Sequence, residues 1–498
     1  MSDASQINVP INTALTSDMM LGLKPAAPRS RSYRLSVAPL NKSTFSGNEQ
    51  IVFELPTGRK GTWLDQSQTY LKFSMKCSST TARTEATQNG VRIENTAYSF
   101  FQRLDVYHSS NLLEQISEYG QLANMLLDAQ LSQSEKAGLS AMIGSNSQTY
   151  GLINVGPGAN YAQDANSTFL GSYINPGDRS GQIIATDTSF DAATIVPYTF
   201  CLPVLSGVVG VNASKMIPLG KLTSPIRLEF YTAENDDAIY YGTSGAGAKW
   251  QLLNVELCCC YVELLDDNFD QDRGIEYIST TTYRNTSTTI QANTSGEITA
   301  LIPFRAASIK SLYARFLPFV SNVQGVDASA AYRKSASINP NFSSYNFRVG
   351  SSIYPNKPVY LFSSQQQTGS EAYTELLKSF HALSSTQVNT SLLFNNYNVC
   401  ADARGGWKVN HTPGSQNSKT GTFANAFCIG LELESFSNRN DTILSGVSTL
   451  NSQIYFNANI ISGATCGGAS NYTYTGHFFS HMDCILVIDE AGVMSAKF

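Results

Sequence analysis

The sequence predicts an all-β protein with minor helices, built as two β-sandwiches in tandem. Three observations carry this. At 498 residues the chain is too long for one hydrophobic core and suits two or three domains. Its 25 Tyr, 25 Phe and 36 Gly, set among many Asn, Ser and Thr, favour strands joined by turn-rich loops. Near the midpoint an apolar run (Leu252, Leu253, Val255, Leu257, Cys259, Tyr261, Leu264) stops at the acidic, polar stretch Asp266 to Gly274, and strand-like alternation restarts at Tyr277. A closing strand, a solvated connector and a fresh strand mark a junction between two β domains.

The division that follows is a flexible N-terminal arm over 1–45, a first sandwich over 46–266, an acidic connector over 267–276 and a second sandwich over 277–498. The arm is Ser/Ala/Pro-rich with a short apolar patch, Met19 to Leu23, suited to docking. In the first domain, Ile51, Phe53 and Leu55 alternate with Val52 and Glu54, and Leu71, Phe73, Met75 and Cys77 alternate with polar residues, as half-buried strands do. Leu104 to His108 reads as a third strand. Tyr119 to Ala141 reads as helix, with Leu122, Met125, Leu126 and Ala129 on one face and a second segment from Ser134. Residues 144–195 form a long irregular insertion. Strands resume at Thr199 to Val204, Met216 to Leu219 and Ile226 to Phe230, before the midpoint strand.

The second half repeats the plan. Thr288 to Ala292, Ile298 to Phe304, Ser311 to Phe316 and Asn346 to Gly350 read as strands, followed by an extended stretch around Pro355 and Pro358. Ser370 to Leu383 reads as helix with Ala372, Leu376, Leu377 and Phe380 on one side. A Gly/Asn-rich loop over 401–422 leads to strands at Ala426 to Leu433, Gln453 to Ile461 and Met482 to Ile488, then a short tail strand. Each half thus holds about eight strands, one helix and long loops at similar places, the strand count of a jelly roll.

Charged residues make up only 14% of the chain, against roughly 25% in ordinary soluble domains, which suits surfaces covered by other subunits. The net charge is -5, and Arg29, Arg31 and Arg34 are too few for a nucleic-acid-binding arm. No apolar run reaches the length of a membrane-spanning helix, and residues 1–30 lack the apolar core of a secretion signal. The nine cysteines include Cys258, Cys259 and Cys260 in one strand, where neighbours point to opposite faces. Reduced thiols acting as small hydrophobes are the expectation.

Chemical motifs fare poorly. Gly220-Lys221 lacks the glycine and hydroxyl that a phosphate loop requires, since Lys215 and Leu222 stand there, and there is no Gly-x-Ser-x-Gly elbow. His477 and His481 share a strand face with Asp483 nearby, but zinc sites group their ligands more tightly, so interface histidines are the plainer reading. Asp266, Asn268 and Asp270 match the first ligands of a calcium loop, yet Gln271 replaces its glycine and Tyr277 its closing glutamate. No pair of carboxylates stands out for glycoside hydrolysis. The expectation is no enzyme, no catalytic residue, no cofactor and no metal.

Several stretches resemble a known family. Tyr98 to Tyr107 with Leu112 to Ile116 resembles its first-domain strand pair before a helix, Ile217 to Phe230 its proline-leucine element and long strand, and Val255 to Asp266 the strand ending its first domain. Tyr345 to Gly350 with Tyr354 to Pro358, Glu371 to His381 and Gly430 to Glu434 are similar to its recurrent second-domain stretches. The family is the double jelly-roll major capsid proteins of DNA viruses, above all those of polinton-like viruses, adintoviruses and virophages, with giant-virus capsid proteins and adenovirus hexon more distant. The resemblance implies two tandem eight-stranded jelly rolls and a homotrimeric, pseudo-hexagonal capsomer tiling an icosahedral shell around a DNA genome. It implies modest outer loops for a chain of this length. It also implies residence in the virion after assembly inside the host cell. The implied partners are the chain itself, neighbouring capsomers, minor capsid, penton or cement proteins, and an internal membrane met by the N-terminal arm, with no sequence-specific nucleic acid binding. The alternative is a tandem β-sandwich that binds or cleaves carbohydrate.

Overall fold

The computed structural model describes residues 28–57, 59–78, 91–93, 96–144, 182–183, 189–191, 197–211, 215–240, 249–265, 274–291, 294–319, 337, 339–340, 342–361, 369–381, 383, 390–392, 397, 399–401, 407–409, 427–435, 442–461 and 473–498. The apolar patch at Met19 to Leu23, the loop over 401–422 in large part, and the connector residues 266–273 lie outside them.

Among the described residues, twelve strands precede the connector: β1 (Ser30–Val37), β2 (Thr44–Phe45), β3 (Gln50–Leu55), β4 (Thr62–Ser78), β5 (Val91–Ile93) and β6 (Phe101–His108). They continue with β7 (Asn111–Ser117), β8 (Gln182–Ile183), β9 (Tyr198–Pro203), β10 (Ile226–Thr232), β11 (Ile239–Tyr240) and β12 (Lys249–Leu264). After it come β13 (Glu276–Ile290), β14 (Gly296–Ile302), β15 (Ile309–Phe319), β16 (Phe342–Val349), β17 (Ser352–Tyr360) and β18 (Val399–Ala401). The last are β19 (Trp407–Val409), β20 (Ile429–Glu432), β21 (Ile454–Ile460), β22 (Thr473–Ile488) and β23 (Met494–Lys497).

The first half forms sheets β1-β12-β4-β9 and β3-β10-β6-β7, and the second forms β13-β22-β15-β20 and β14-β21-β16-β17, all antiparallel. Counting the eight main strands of each half in chain order, both halves read 1-8-3-6 and 2-7-4-5. That order defines a jelly roll, and here it occurs twice. Each roll also carries one well-formed helix between its fifth and sixth main strands, Tyr119–Gln130 and Ser370–Ser379. Among the described residues no helix is long and apolar enough to cross a membrane.

Aromatic side chains fill the space between the sheets. Phe73 meets Phe100 and Phe101 edge-on in the first roll, with ring centroids 6.1 and 5.5 Å apart, and Phe101 meets Phe230 at 5.5 Å. In the second, Phe316 contacts Phe342 at 4.8 Å and Phe478 at 6.1 Å, and Phe456 contacts Phe478 at 5.2 Å. Such edge-to-face pairs add stabilisation beyond the area they bury.

Three expectations need correction. Ser30–Val37, assigned to the flexible arm of 1–45, is strand β1, paired residue for residue with β12 from Ser30–Leu264 to Val37–Leu257. Tyr33, Leu35 and Val37 face inward and pack on the core, with Tyr33 stacked on Tyr261 at 5.8 Å. Met216 to Leu219 is not a strand. Ile217 makes one bridge to Leu64, and then Pro218, which has no N–H to donate, gives way to a 3-10 turn at Leu219–Lys221. The helix expected over 119–141 breaks at Leu131, whose backbone is extended. Ser132 and Glu135 then exchange hydrogen bonds (Glu135 N to Ser132 Oγ, 3.2 Å; Ser132 N to Glu135 Oε2, 2.7 Å), a capping box that restarts the helix at Gln133.

The cysteines of the midpoint strand behave as packing residues. Cys258 and Cys259 are buried on opposite faces of β12, and all described cysteines whose side chains are placed are free thiols. Burial pushes the Cys259 thiol up to about 12, so it stays protonated and inert at neutral pH.

Candidate functional site: the joint between the two jelly rolls

Groups with unusual chemistry gather where the two rolls meet, and the centre is Glu114. In sequence it is an ordinary polar residue of β7, between Leu113 and Gln115. In the fold it is 1% exposed, and it accepts hydrogen bonds from both rolls. Gly207 N donates to Oε1 at 3.0 Å and Ser206 Oγ donates to Oε2, both from the segment after β9. Thr282 Oγ1, from β13 of the second roll, donates to Oε1 at 2.5 Å. Ser206 Oγ is itself held by Val208 N at 3.1 Å and Val209 N at 3.2 Å. Burial pushes the Glu114 carboxyl above its ordinary range, and the donors offset part of that shift. With each oxygen occupied by such donors, the carboxylate serves as a clamp between domains rather than as a reactive group.

Around it the contact is close. Thr280 Oγ1 donates to Gly207 O at 2.5 Å, and a Cβ on Gly207 would lie 2.0 Å from the Thr281 carbonyl oxygen. Only glycine allows the two backbones to approach this far.

A second seam is made by the β6–β7 hairpin and the C-terminal hairpin. His108 is fully buried, and its Nδ1 accepts from Met494 N at 3.0 Å, so Nε2 carries the proton and donates to Ser224 O at 3.1 Å. Burial holds this imidazole below its ordinary value, in the neutral form the geometry requires. Asn111 Nδ2 donates to Met494 O at 3.1 Å, so one hairpin satisfies both backbone groups of one residue across the joint. Gly492, at φ +74°, presents its carbonyl to Thr223 N at 3.1 Å, and Lys221 pairs with Glu276 beside the connector.

The Tyr119–Gln130 helix makes a third seam. Arg315, buried on β15, donates from Nη1 to Gln121 O at 3.2 Å. Ser391 N and Oγ both donate to Asp128 O, at 2.9 and 3.0 Å. The acidic connector was the feature in which sequence reasoning placed the joint. That connector lies outside the described residues over 266–273, and the described contacts of the joint lie in β7, the Ser206–Gly207 turn, β13 and the C-terminal hairpin.

The metal candidates separate. Asp266, Asn268 and Asp270 lie outside the described residues. His477 sits opposite Ser287 and Arg315, whereas His481 stacks on Tyr283 at 4.7 Å. Asp483 accepts from Ser308 Oγ at 2.6 Å and Leu444 N at 3.0 Å. Among the described residues, the metal-competent group is a different one: His381, Glu432 and Glu434. Sequence reasoning missed it because its members come from two segments about fifty positions apart, with no shared motif.

The chain is a double jelly-roll protein of mostly antiparallel strands. No protein-family model matches it, and no curated protein matches it in sequence. Solved structures do match. The mavirus major capsid protein is 10% identical with a TM-score of 0.54, covering 99% of this chain and 95% of that one. A chain of the Sputnik virophage structure is 12% identical with a TM-score of 0.58, covering 100% and 93%. A chain of the PBCV-1 virus capsid is 10% identical with a TM-score of 0.56, covering 96% and 99%. At these identities the likeness is one of fold, over essentially the whole length of each chain.

Proposed function

We propose that this chain is a viral major capsid protein, a structural subunit without catalysis that resides in the virion. Three copies would form a pseudo-hexagonal capsomer, and capsomers would tile an icosahedral shell around a DNA genome. The observation that carries this reading is the duplicated strand order within one chain, held together by buried contacts at the joint. Three chains with two equivalent rolls each present six similar sandwiches, so a threefold assembly can meet six neighbours. Supporting it, large apolar side chains remain exposed where other copies could cover them, among them Leu265 (65%), Ile275 (51%) and Tyr277 (66%) at the ends of the connector. The full-length likeness to capsid proteins of mavirus and PBCV-1 points the same way. In this reading residues 267–276 link the rolls, the long loops face outward, and the arm faces inward toward minor capsid proteins or a membrane. Penton and cement proteins would meet the capsomer's edges.

Native mass measurement on the purified chain tests this. The expected result is a particle of three 54.1 kDa chains, with a hexagonal outline and a threefold axis in low-resolution particle images. A stable monomer that binds or cleaves glycans would overturn it in favour of a carbohydrate-active sandwich.

The arm gives a separate prediction. Deleting residues 1–27 leaves β1 and its pairing with β12 in place, so trimers should form normally while shell assembly falls sharply. Shells of normal yield and shape from the truncated chain would show that the arm has no docking role.

A further inference from the structure

We propose that His381, Glu432 and Glu434 form a binding site for one divalent transition-metal ion of the zinc type. The three side chains each offer one ligand atom, and these atoms lie within 4.8 Å of one another. His381 follows the last turn of the Ser370–Ser379 helix, while the two glutamates flank Leu433 at the end of β20. Both ring nitrogens face carboxylates: Nδ1 lies 3.9 Å from Glu432 Oε1, and Nε2 lies 3.7 Å from Glu434 Oε2. These gaps are too long for hydrogen bonds, and Nδ1 is buried without a hydrogen-bond partner. One ring nitrogen serves one ion, so only one of these gaps can lie within the site; either is close to the roughly 3.4 Å that metal–ligand distances of about 2.0–2.2 Å set between ligand atoms in a tetrahedron.

Shelter supplies the second argument. Glu434 and Asp483 have side chains only 3% and 6% exposed, Glu432 15%, and Lys310 reaches Glu434 Oε1 at 3.1 Å and Asp483 Oδ1 at 3.5 Å. The outer shell is also in place: Lys310 and Ser445 Oγ hold Glu434 Oε1, leaving Oε2 turned toward the histidine. One imidazole and two carboxylates suit zinc and its neighbours, not calcium, which takes six to eight oxygens. The ion would tie the helix end to β20 and so close the long chain segment between positions 381 and 432. The site stands whether or not the chain builds a shell.

The test is a calorimetric titration of Zn²⁺ into full-length protein stripped with a chelator, with thermal unfolding read in parallel. The expected result is one Zn²⁺ per chain and a rise in Tm of roughly 2–3 °C at a hundredfold excess over Kd. His381→Ala and Glu432→Gln should each weaken binding at least about tenfold, with the circular dichroism of the stripped protein unchanged. If His381→Ala fails to fold, Glu432→Gln decides alone. Absence of binding, or binding untouched by both substitutions, overturns the site. So does a stripped protein that gains stability on mild acidification without taking up zinc, which would assign the cluster to a protonated histidine bridging two carboxylates.

Discussion

Replacing Glu114 with alanine is expected to destabilise the protein by about 3–5 kcal/mol, and to split its unfolding into two steps as each roll melts separately. Three donors lose their acceptor at once, Ser206 Oγ, Gly207 N and Thr282 Oγ1, in a place with almost no access to solvent. A buried donor left without a partner costs about 1–3 kcal/mol, and water admitted to the gap relieves only part of that. The third donor belongs to the other roll, which is why the loss falls on the joint. Calorimetry of the variant checks this, and a single transition at the wild-type midpoint would show that Glu114 is not the clamp.

Glu114→Gln separates charge from shape. A carboxyl whose folded pKa is raised contributes stability that is fully present below its unfolded value and is lost as pH rises through the folded value. Burial raises Glu114 in this way. The stability gap between wild type and Glu114→Gln is therefore expected to be widest near pH 4 and to narrow toward pH 8, as read from urea midpoints. A gap that widens with pH would mean the three donors outweigh burial.

How far the fold could be read from the chain depended on what each strand faces. β4 alternates because one face meets the core and the other faces outward or toward polar neighbours, so Leu71, Phe73, Met75 and Cys77 stood out. β22 is a central strand buried on both faces over most of its length, and its polar members Ser480 and His481 hide among Phe478, Phe479 and Met482. Its last seven residues, Met482 to Ile488, read as a closing strand, and His477 and His481 only as a shared strand face. β1 failed for the opposite reason. It is an edge strand whose outer face carries Ser30, Ser32, Arg34 and Ser36, so its inward Tyr33, Leu35 and Val37 looked like part of a polar tail. The contacts that make the joint were not legible. Glu114 becomes a buried acceptor only when Ser206, 92 positions away, and Thr282, 168 positions away, are brought to it. No local pattern encodes a contact between sandwiches, whereas about eight strands in each half already matched the strand count of a jelly roll.

Gly207→Ala is expected to be nearly as damaging as loss of the carboxylate, at about 3 kcal/mol or more, although it adds a single methyl group. The added Cβ would stand 2.0 Å from the Thr281 carbonyl oxygen and 3.1 Å from Thr280 Oγ1. The nearest obstacle is backbone in the middle of β13, paired along its length with β22, so it cannot turn aside as a side-chain tip could. Relief must come from the Ser206–Gly207 turn, and moving it pulls Gly207 N and Ser206 Oγ off Glu114 and breaks the 2.5 Å bond from Thr280 Oγ1 to Gly207 O. Both substitutions would then open the same seam. The double variant Glu114→Ala/Gly207→Ala should therefore cost less than the sum of the two by at least about 1 kcal/mol, the signature of groups that share partners. Gly138→Ala is the matched control, since a Cβ there meets nothing within 4 Å, and it should shift stability by no more than about 0.5–1 kcal/mol. Native mass measurement adds the functional readout: if the joint sets the angle between rolls, Gly207→Ala chains that remain folded should give few trimers. Strict additivity with Glu114→Ala, or trimers in wild-type yield, would mean the turn merely touches β13 and the angle is set elsewhere.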